Sequence, residues 1–411
     1  MTQTMHIDKS LKYVKEHKIL ISLLVFIISS HYYYLYFITF HEGVTHTPLA
    51  MQIVKIFASV LFYLTFFDFR RAKCSIDMLS ISVSLAIVIL VYKSVYFSVN
   101  DFLFLNFFAL SIPYVFFRPR LHTEVVNIFF PTLILILCMQ IIIDYILVQH
   151  SKSIWENKAF IGGFGNPSTF GIICNLATAY IITRRHKNYH LIPLFIVTYG
   201  ACQTKSLATI AVLLSLYLLN ILHQKNKFDV AFSIAIAFFA TGIILYNLEG
   251  HLAYKLESLI RYLNIQQYSP ISERELTTPT NSISTSIGNR SLLYHQIIVN
   301  FTDNPLKMLL LGSVTSFYNS ADSQFVTFSN SFGILLSCII LCSLIFPFFT
   351  GILYNSKYFS QACGLIFITY CGSNRILEYY PISFIFIFLL GQIYYNQHRI
   401  QLQSTTSHAI H

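Results

Sequence analysis

Four short segments of this sequence combine turn-forming residues with side chains that could bind an anion or take part in a reaction. The first runs from Gly162 to Gly171 and contains Gly165, Asn166 and Pro167. Asparagine at an N-cap followed by proline at the first helical position is a strong helix start. The positive end of that helix dipole favours an anion, although an ordinary tight turn and cap has the same spacing.

The second segment is the turn 203–206, which places Lys205 where two apolar runs meet. A lysine here could hold an anion beside the N-terminus of the following helix. Its long side chain could equally reach the lipid headgroups, as lysines near the ends of membrane helices do. The spacing leaves both interpretations open.

The third and fourth segments belong to one polar stretch of the chain. Arg290 in the segment 288–294 carries a planar guanidinium that could donate to two phosphate oxygens at once. It leads a predicted helix that ends near Asn304, and Gly312 marks the turn that follows. Asp322 stands just before the next apolar run. Its carboxylate could serve a reaction or could only be the N-cap of the next helix.

The composition predicts that these segments belong to a membrane protein. Of the 411 residues, 55% are hydrophobic and only 11% are charged, whereas a soluble domain has about 25% charged residues. The net charge of +10 does not indicate nucleic-acid binding, because the basic residues stand in short clusters between apolar runs instead of forming one patch. The eight cysteines form no CxxC pair, so we expect neither a metal site nor a disulfide framework.

The fold class that follows is an all-α integral membrane protein with about twelve transmembrane helices, each needing roughly 20 apolar residues. We expect one membrane domain over residues 1–411, without a cleaved signal at its N-terminus. The predicted spans are 19–40, 50–67, 78–98, 102–117, 125–148, 164–183, 189–203, 206–222, 228–247, 325–350, 358–373 and 380–396.

The distribution of lysine and arginine predicts the orientation of these spans. Cytoplasmic loops of membrane proteins are rich in lysine and arginine. If both termini lie in the cytoplasm, the inward-facing segments carry most of the lysines and arginines, so this orientation is the predicted one. The polar segment 248–324 then forms one large loop on the outer side. Within it, apolar residues recur at helical spacing over 290–311, which predicts a helix lying on the membrane surface or re-entering it. A loop of this length is usually functional, although a simple tether is the alternative.

Three charged residues fall inside predicted spans, where burial in lipid costs at least about 2.5 kcal/mol for a lysine or aspartate. They are Lys55, Lys93 and Asp144. Lys93 and Asp144 both lie toward the outer face in this topology. A structural ion pair between helices is one explanation, and a substrate cavity is the other.

Taken in order, these motifs resemble the bacterial O-antigen polymerase (Wzy) and O-antigen ligase superfamily over roughly residues 160–345. Such proteins have a Gly-Asn-Pro turn, here 165–167, and then a T-x-S-R turn, for which Thr204-Lys205-Ser206 stands here. An Arg-led helix ending in N-P-L…G follows, here from Arg290 to Gly312. Ligases then have a His-Asn pair. This sequence has Asp322-Ser323 there, which is more similar to polymerases.

The resemblance implies a metal-independent, cofactor-free glycosyltransferase of the GT-C type at the periplasmic face of the inner membrane. It would join undecaprenyl-diphosphate-linked oligosaccharide repeat units in lipopolysaccharide O-antigen biosynthesis, with a chain-length regulator as a further partner. The diphosphate-lipid would be the leaving group, held by cationic side chains and helix ends. The implied diphosphate ligands are Lys205, Arg290, Arg375, Gly165 and Asn166.

The same resemblance implies a group that removes a proton from the acceptor hydroxyl. Asp322 is the first candidate, with His295 and Glu378 in reserve. Arg375 could bind a second phosphate or could simply pair with Glu378. Two other functions stay open: a ligase that delivers glycan to lipid A–core, and a lipid-linked oligosaccharide flippase or other transporter that carries out no chemistry.

Overall fold

The structure is a computed structural model, and it describes most of the chain. The described residues are 16–29, 49–68, 77–97, 103–118, 120–121, 123–150, 158–164, 166–184, 191–223, 227–246, 294, 297–313, 323–354 and 356–408. Nearly all of them are helical. This agrees with a chain of apolar runs, since a helix satisfies its own backbone hydrogen bonds within one segment.

The described residues of the first part of the chain form five helices and two short strands. The helices are α1 (Lys18–Ile28), α2 (Leu49–Phe66), α3 (Met78–Phe97), α4 (Leu103–Phe117) and α5 (Thr123–Gln149). Two short strands, β1 (Phe67–Asp68) and β2 (Arg120–Leu121), pair antiparallel with Phe67 opposite Leu121. This pairing ties the end of α2 to the start of α5.

The second part of the chain continues as helices and contains the candidate site. They are α6 (Pro167–Thr183), α7 (Leu191–Gln203), α8 (Leu207–His223), α9 (Lys227–Tyr246), α10 (Pro305–Leu310), α11 (Gln324–Phe332), α12 (Ile334–Thr350), α13 (Lys357–Ser373) and α14 (Ile382–His408). Helix α6 is buried along nearly its whole length. It packs against α5, α7, α8, α13 and α14 and is the central helix of the bundle.

Phenylalanine side chains fill the contact between α2, α5 and α14. The Phe129 and Phe388 rings are stacked with their centroids 4.2 Å apart. Phe62 meets the edges of both rings, at 6.3 Å and 5.8 Å. Offset and edge-to-face aromatic pairs of this kind stabilise a core beyond their buried area. They fix α14, which follows the candidate site, against the N-terminal helices.

Two helices among the described residues are long and apolar enough to cross a membrane. They are Met78–Tyr96 and Thr123–Gln149, with mean hydropathies of 2.1 and 2.4. Shorter apolar helices accompany them, and large apolar side chains are exposed on their outer surfaces, such as Leu64, Val95 and Ile192 at 70%, 70% and 72%. The fold is therefore compatible with a helical membrane protein.

The observed helices follow the predicted apolar runs, although residues 30–40 of the first run lie outside the described residues and α14 continues to His408, beyond the predicted end at 396. Each predicted run contains a helix, but the run 325–350 is divided into α11 and α12 at Gly333. The φ angle of Gly333 is +91°, and a Cβ there would lie 2.6 Å from the carbonyl oxygen of Leu309. Only glycine fits this close approach, so the continuous helix predicted from hydropathy is interrupted.

The predicted surface helix of the large loop is partly described. Residues 297–303 are helical, Asn304 interrupts them, and α10 follows. Ile297 and Met308 pack on Val326, whereas Ile298 and Leu306 are 60% and 73% exposed. One face therefore lies on the bundle and the other is apolar and uncovered, which is the pattern expected of a helix at a membrane surface. Of the loop 248–324, the structure describes only 294, 297–313, 323 and 324.

Candidate functional site

The start of α6 has the cap that the sequence predicts. The Asn166 side chain accepts a hydrogen bond from the Ser168 N–H at 2.7 Å, and Pro167 occupies the first helical position. Ahead of it, Gly162 has a φ of +54°, and a Cβ there would lie 2.2 Å from the Phe170 ring. The glycine-rich turn is therefore packed directly against the helix it precedes. Gly165 lies outside the described residues.

A buried carboxylate holds this turn in place. Asp144 on α5 is 3% exposed, and its Oδ2 accepts the backbone N–H groups of Ile161 and Gly162, each at 2.8 Å. Charge-assisted bonds of this kind fix a loop tightly. The described contacts of Asp144 are with backbone N–H groups and those of Lys93 are with backbone carbonyls, so these contacts support neither the ion pair nor the substrate cavity considered for the two residues.

The Lys205 turn lies beside the glycine-rich turn. Lys205 has a φ of +52°, and its N–H donates to the carbonyl of Cys202 at 3.2 Å. The N–H of Phe160 donates to the carbonyl of Gln203 at 3.0 Å, which joins the two turns. Burial and the neighbouring charge of Lys158 lower the pKa of Lys205. The structure therefore places Lys158 and Lys205 on two neighbouring turns near the start of α8.

A buried polar network connects the helices beneath this turn. The Tyr370 hydroxyl on α13 donates to Thr209 Oγ1 on α8 at 2.8 Å. Asn175 on α6 donates to the Tyr370 hydroxyl at 3.3 Å and to the Thr209 carbonyl at 3.2 Å. With a rise of 1.5 Å per residue, the start of α8 and the end of α13 lie about 3 to 5 Å beyond this network, and Lys205 and Arg375 each lie within two residues of those helix ends. Lys205 and Arg375 therefore belong to the same end of the bundle.

The loop between α13 and α14 contains a buried ion pair. Arg375 Nε donates to Glu378 Oε2, and the two side chains are 2% and 0% exposed. Gln324, the first residue of α11, donates from Nε2 to Glu378 Oε1 at 3.0 Å and accepts the Leu377 N–H on Oε1 at 2.8 Å. Of the two roles considered for Arg375, pairing with Glu378 is the one found. Glu378 has both oxygens bonded and no exposed surface, which disfavours it as a proton acceptor in this state.

The N-cap of α11 is Ser323, whose Oγ accepts the Val326 N–H at 3.4 Å. The alternative in which Asp322 caps this helix is therefore wrong by one residue. The Tyr294 hydroxyl lies 3.1 Å from Ser323 Oγ and donates to the Gly372 carbonyl at 2.9 Å. This contact attaches the helical part of the large loop to the same end of the bundle.

Three further predicted site residues, Arg290, His295 and Asp322, lie outside the described residues. Their chain neighbours Tyr294 and Ser323 are described, and both lie at the end of the bundle that holds Arg375. Sequence reasoning did not find Gln324 or Tyr294, since neither residue type signals a long-range contact by itself. Lys158 could have been found from the sequence, because it precedes the glycine-rich turn by only a few residues.

The described residues contain no group of three or more His, Cys, Asp or Glu side chains that could hold a metal ion. What gathers at this end is cationic and polar. It comprises the ammonium group of Lys205, a capped helix N-terminus, a buried arginine–glutamate pair and serine and tyrosine hydroxyls. This arrangement can attract and orient an anionic group.

No protein-family model matches the sequence, and searches of curated proteins and of solved structures return no match.

Proposed function

We propose that this chain is a polytopic protein of a bacterial inner membrane with about twelve transmembrane helices. Both termini would lie in the cytoplasm, and the loop 248–324 would lie in the periplasm. The apolar helices and their exposed apolar side chains support a membrane location. The positive charge concentrated on alternate connections supports the orientation. In this topology Lys205, Ser323 and Arg375 all lie at the periplasmic side.

We infer further that the protein is an O-antigen polymerase of the GT-C type. It would transfer a growing glycan from undecaprenyl diphosphate to a hydroxyl of an incoming lipid-linked repeat unit. The new glycosidic bond forms as the bond to the diphosphate breaks, and the acceptor hydroxyl loses its proton. The energy of the diphosphate-linked donor drives the transfer, so no separate cofactor is required.

The observation that carries this proposal is the convergence of Lys205, the Asn166-capped end of α6 and the Arg375 loop at one end of the bundle. A diphosphate leaving group gains negative charge as its bond to the sugar breaks. Cations and helix N-termini that are already in place stabilise that charge without reorganisation. Tyr294 attaches the segment that follows Arg290 to this same end, which supports a role for Arg290 in the site.

Proton removal from the acceptor falls to Asp322 in this proposal. Because Ser323 already caps α11, the neighbouring carboxylate is not required for that task. Its position in the chain, directly before a helix N-terminus at the cationic end, suits a group that must stay ionised to accept a proton. His295 follows Tyr294 in the chain and is the first reserve, and the buried Glu378 is the second.

The function is tested by deleting the gene in its source bacterium and examining lipopolysaccharide on gels. A lipid A–core that carries a single repeat unit is the result expected for loss of a polymerase. A plasmid carrying the intact gene should restore the ladder, and one carrying Lys205→Ala should not. Retention of a full ladder after deletion would contradict the proposal.

A lipid-linked oligosaccharide transporter is the second candidate, and one observation favours it. Helix α11 is separated from α12 by a break at which Lys93 is buried. Broken membrane helices with a buried charge are a recurrent feature of transporter binding sites. Loss of all O-antigen from the core after deletion would support a transporter or a ligase over a polymerase.

A further inference from the structure

The break between α11 and α12 is built from two backbone segments in very close contact. Gly312 has a φ of +74°, and a Cβ there would lie 2.4 Å from the Asn330 carbonyl oxygen. Gly333 on the facing segment makes the reciprocal close approach to Leu309. Both glycines are required by positive φ and by lack of space. The two segments thereby bring several carbonyl groups to one place.

The carbonyls of Asn330 and Ser331 lie in the last turn of α11. In an uninterrupted helix they would accept hydrogen bonds from residues four positions later, but the break at Gly333 ends that pattern. The partial negative charge of a helix C-terminus adds to the charge on these oxygens. Inside an apolar bundle such groups need a partner, because a buried carbonyl without a hydrogen bond destabilises the folded state.

Lys93 is a partner for these carbonyls. Its Nζ donates to Ser313 at 2.8 Å, to Ser331 at 2.9 Å and to Asn330 at 3.2 Å, and its side chain is 2% exposed. The three oxygens come from both segments of the break. The ammonium group of a lysine has three N–H donors, and three carbonyl oxygens surround it here. Coordination by carbonyl oxygens at a broken helix is how membrane proteins also bind free monovalent cations.

We propose that the break between α11 and α12 is a cation site of backbone carbonyls, occupied in this protein by the tethered ammonium of Lys93. Removing that side chain should leave a carbonyl cage of Ser313, Asn330 and Ser331 that accepts a free sodium or potassium ion. The site lies on α3, α11 and the segment that follows α10, and it does not depend on the proposed polymerase activity.

The site also has a structural consequence for the opposite end of α11. That helix has nine residues, so its two ends lie about 13 Å apart. Lys93 holds the C-terminal end, and Gln324 at the N-terminal end bonds to Glu378 and to the backbone of Leu377. The cation at the break therefore fixes the helix that positions the Arg375–Glu378 pair.

Lys93→Ala is the informative variant, measured by thermal unfolding of the purified full-length protein in detergent. We expect its unfolding midpoint to be higher in sodium or potassium chloride than in choline chloride of equal ionic strength. The midpoint should rise with the logarithm of the metal-ion concentration, as binding to the folded state requires. The wild-type protein should show no preference among the three salts.

Lys55→Ala is the matched control. Lys55 is a lysine within α2 that is also buried, at 4% exposure, but it lies over the Tyr380 ring with its Nζ 5.5 Å from the centroid. Its removal should destabilise the protein equally in every salt. Equal midpoints for Lys93→Ala in all salts would overturn the proposal. A second outcome would also overturn the proposal: Lys55→Ala is recovered from membranes prepared in sodium and potassium salts, but Lys93→Ala is not. In that case free cations are present and do not replace the Lys93 ammonium group.

Discussion

Gln324 donates a hydrogen bond from Nε2 to Oε1 of Glu378 at 3.0 Å, and neither side chain has exposed surface. This bond joins the first residue of α11 to the loop that precedes α14. It orients the carboxylate that pairs with Arg375. The ion pair is therefore held from a second helix and does not depend on its own short loop alone.

Replacing Gln324 by leucine tests this relationship. The leucine keeps the approximate volume but leaves one Glu378 oxygen and the Leu377 N–H without this partner, which should cost about 1 to 3 kcal/mol for each unsatisfied group. We expect a lower unfolding midpoint and a shortened O-antigen ladder. Gln140→Leu is the control, since Gln140 is a buried glutamine that bonds to the Ser29 carbonyl at 3.2 Å away from this loop. Equal loss of ladder length in both variants would show that stability alone explains the effect.

Lys205→Gly separates charge from fold at the turn before α8. The φ of Lys205 is +52°, a conformation that costs a non-glycine residue roughly 1 to 2 kcal/mol and that glycine adopts readily. Glycine should therefore leave the unfolding midpoint unchanged or raise it while removing the ammonium that we assign to the diphosphate. We expect loss of polymerisation at normal protein levels, and Lys205→Arg should be tolerated.

The matched control for this prediction is Lys158→Gly. Lys158 has a φ of +56° and contributes to the lowered pKa of Lys205, but it is not among the proposed diphosphate ligands. Its replacement by glycine should change stability in the same direction and should preserve the ladder. A full ladder from Lys205→Gly would remove Lys205 from the site.

Asp322→Asn tests whether this carboxylate takes part in the reaction. Ser323 is the N-cap of α11, so the amide should fold as well as the wild-type protein. If Asp322 accepts the acceptor's proton, activity should fall by about 10² to 10⁴-fold, which would reduce the ladder to one or two repeats. Ser323→Ala should instead lower stability by roughly 0.5 to 2 kcal/mol through loss of the cap. A full ladder from Asp322→Asn would direct the search to His295 and Glu378.

The sequence predicts the helices of this protein well because each apolar run is long and polar turns separate the runs. The Asn166–Pro167 helix start is confirmed for the same reason, since capping is a local property. The break at Gly333 was not predicted, because the run 325–350 as a whole is apolar enough to be taken as one span. What requires glycine there is a carbonyl from Leu309, which is distant in sequence.

The partners of buried charges were harder to predict than the helices. Lys93 and Asp144 carry opposite charges and both lie toward the outer face in the predicted topology, for which an ion pair between helices was one explanation. The structure gives Lys93 the carbonyls of a helix break and gives Asp144 the N–H groups of a turn. Backbone groups carry no sequence signal, so such partners become visible only when the chain is folded. The role of Gln324 was not predicted either, because a single glutamine at a helix start is common and does not indicate a long-range contact.

The proposed orientation can be tested with impermeant thiol reagents on spheroplasts. A cysteine introduced in 277–289 should react in intact spheroplasts, because the distribution of lysine and arginine assigns this loop to the periplasm. Cysteines that replace Lys187 or Lys225 should react only after the membrane is opened, and the parent chain provides the background. Labelling of 277–289 only in opened membranes would contradict the topology.

The central claim is that this protein itself joins lipid-linked repeat units, and reconstitution tests it most directly. The purified chain in liposomes would be supplied with undecaprenyl-diphosphate-linked repeat units and a metal chelator, and the products separated by glycan length. The account predicts glycans of two or more repeats, one undecaprenyl diphosphate released for each bond formed, and no product from Arg290→Ala. Unchanged single repeats that instead appear in the opposite leaflet would contradict it and identify a transporter.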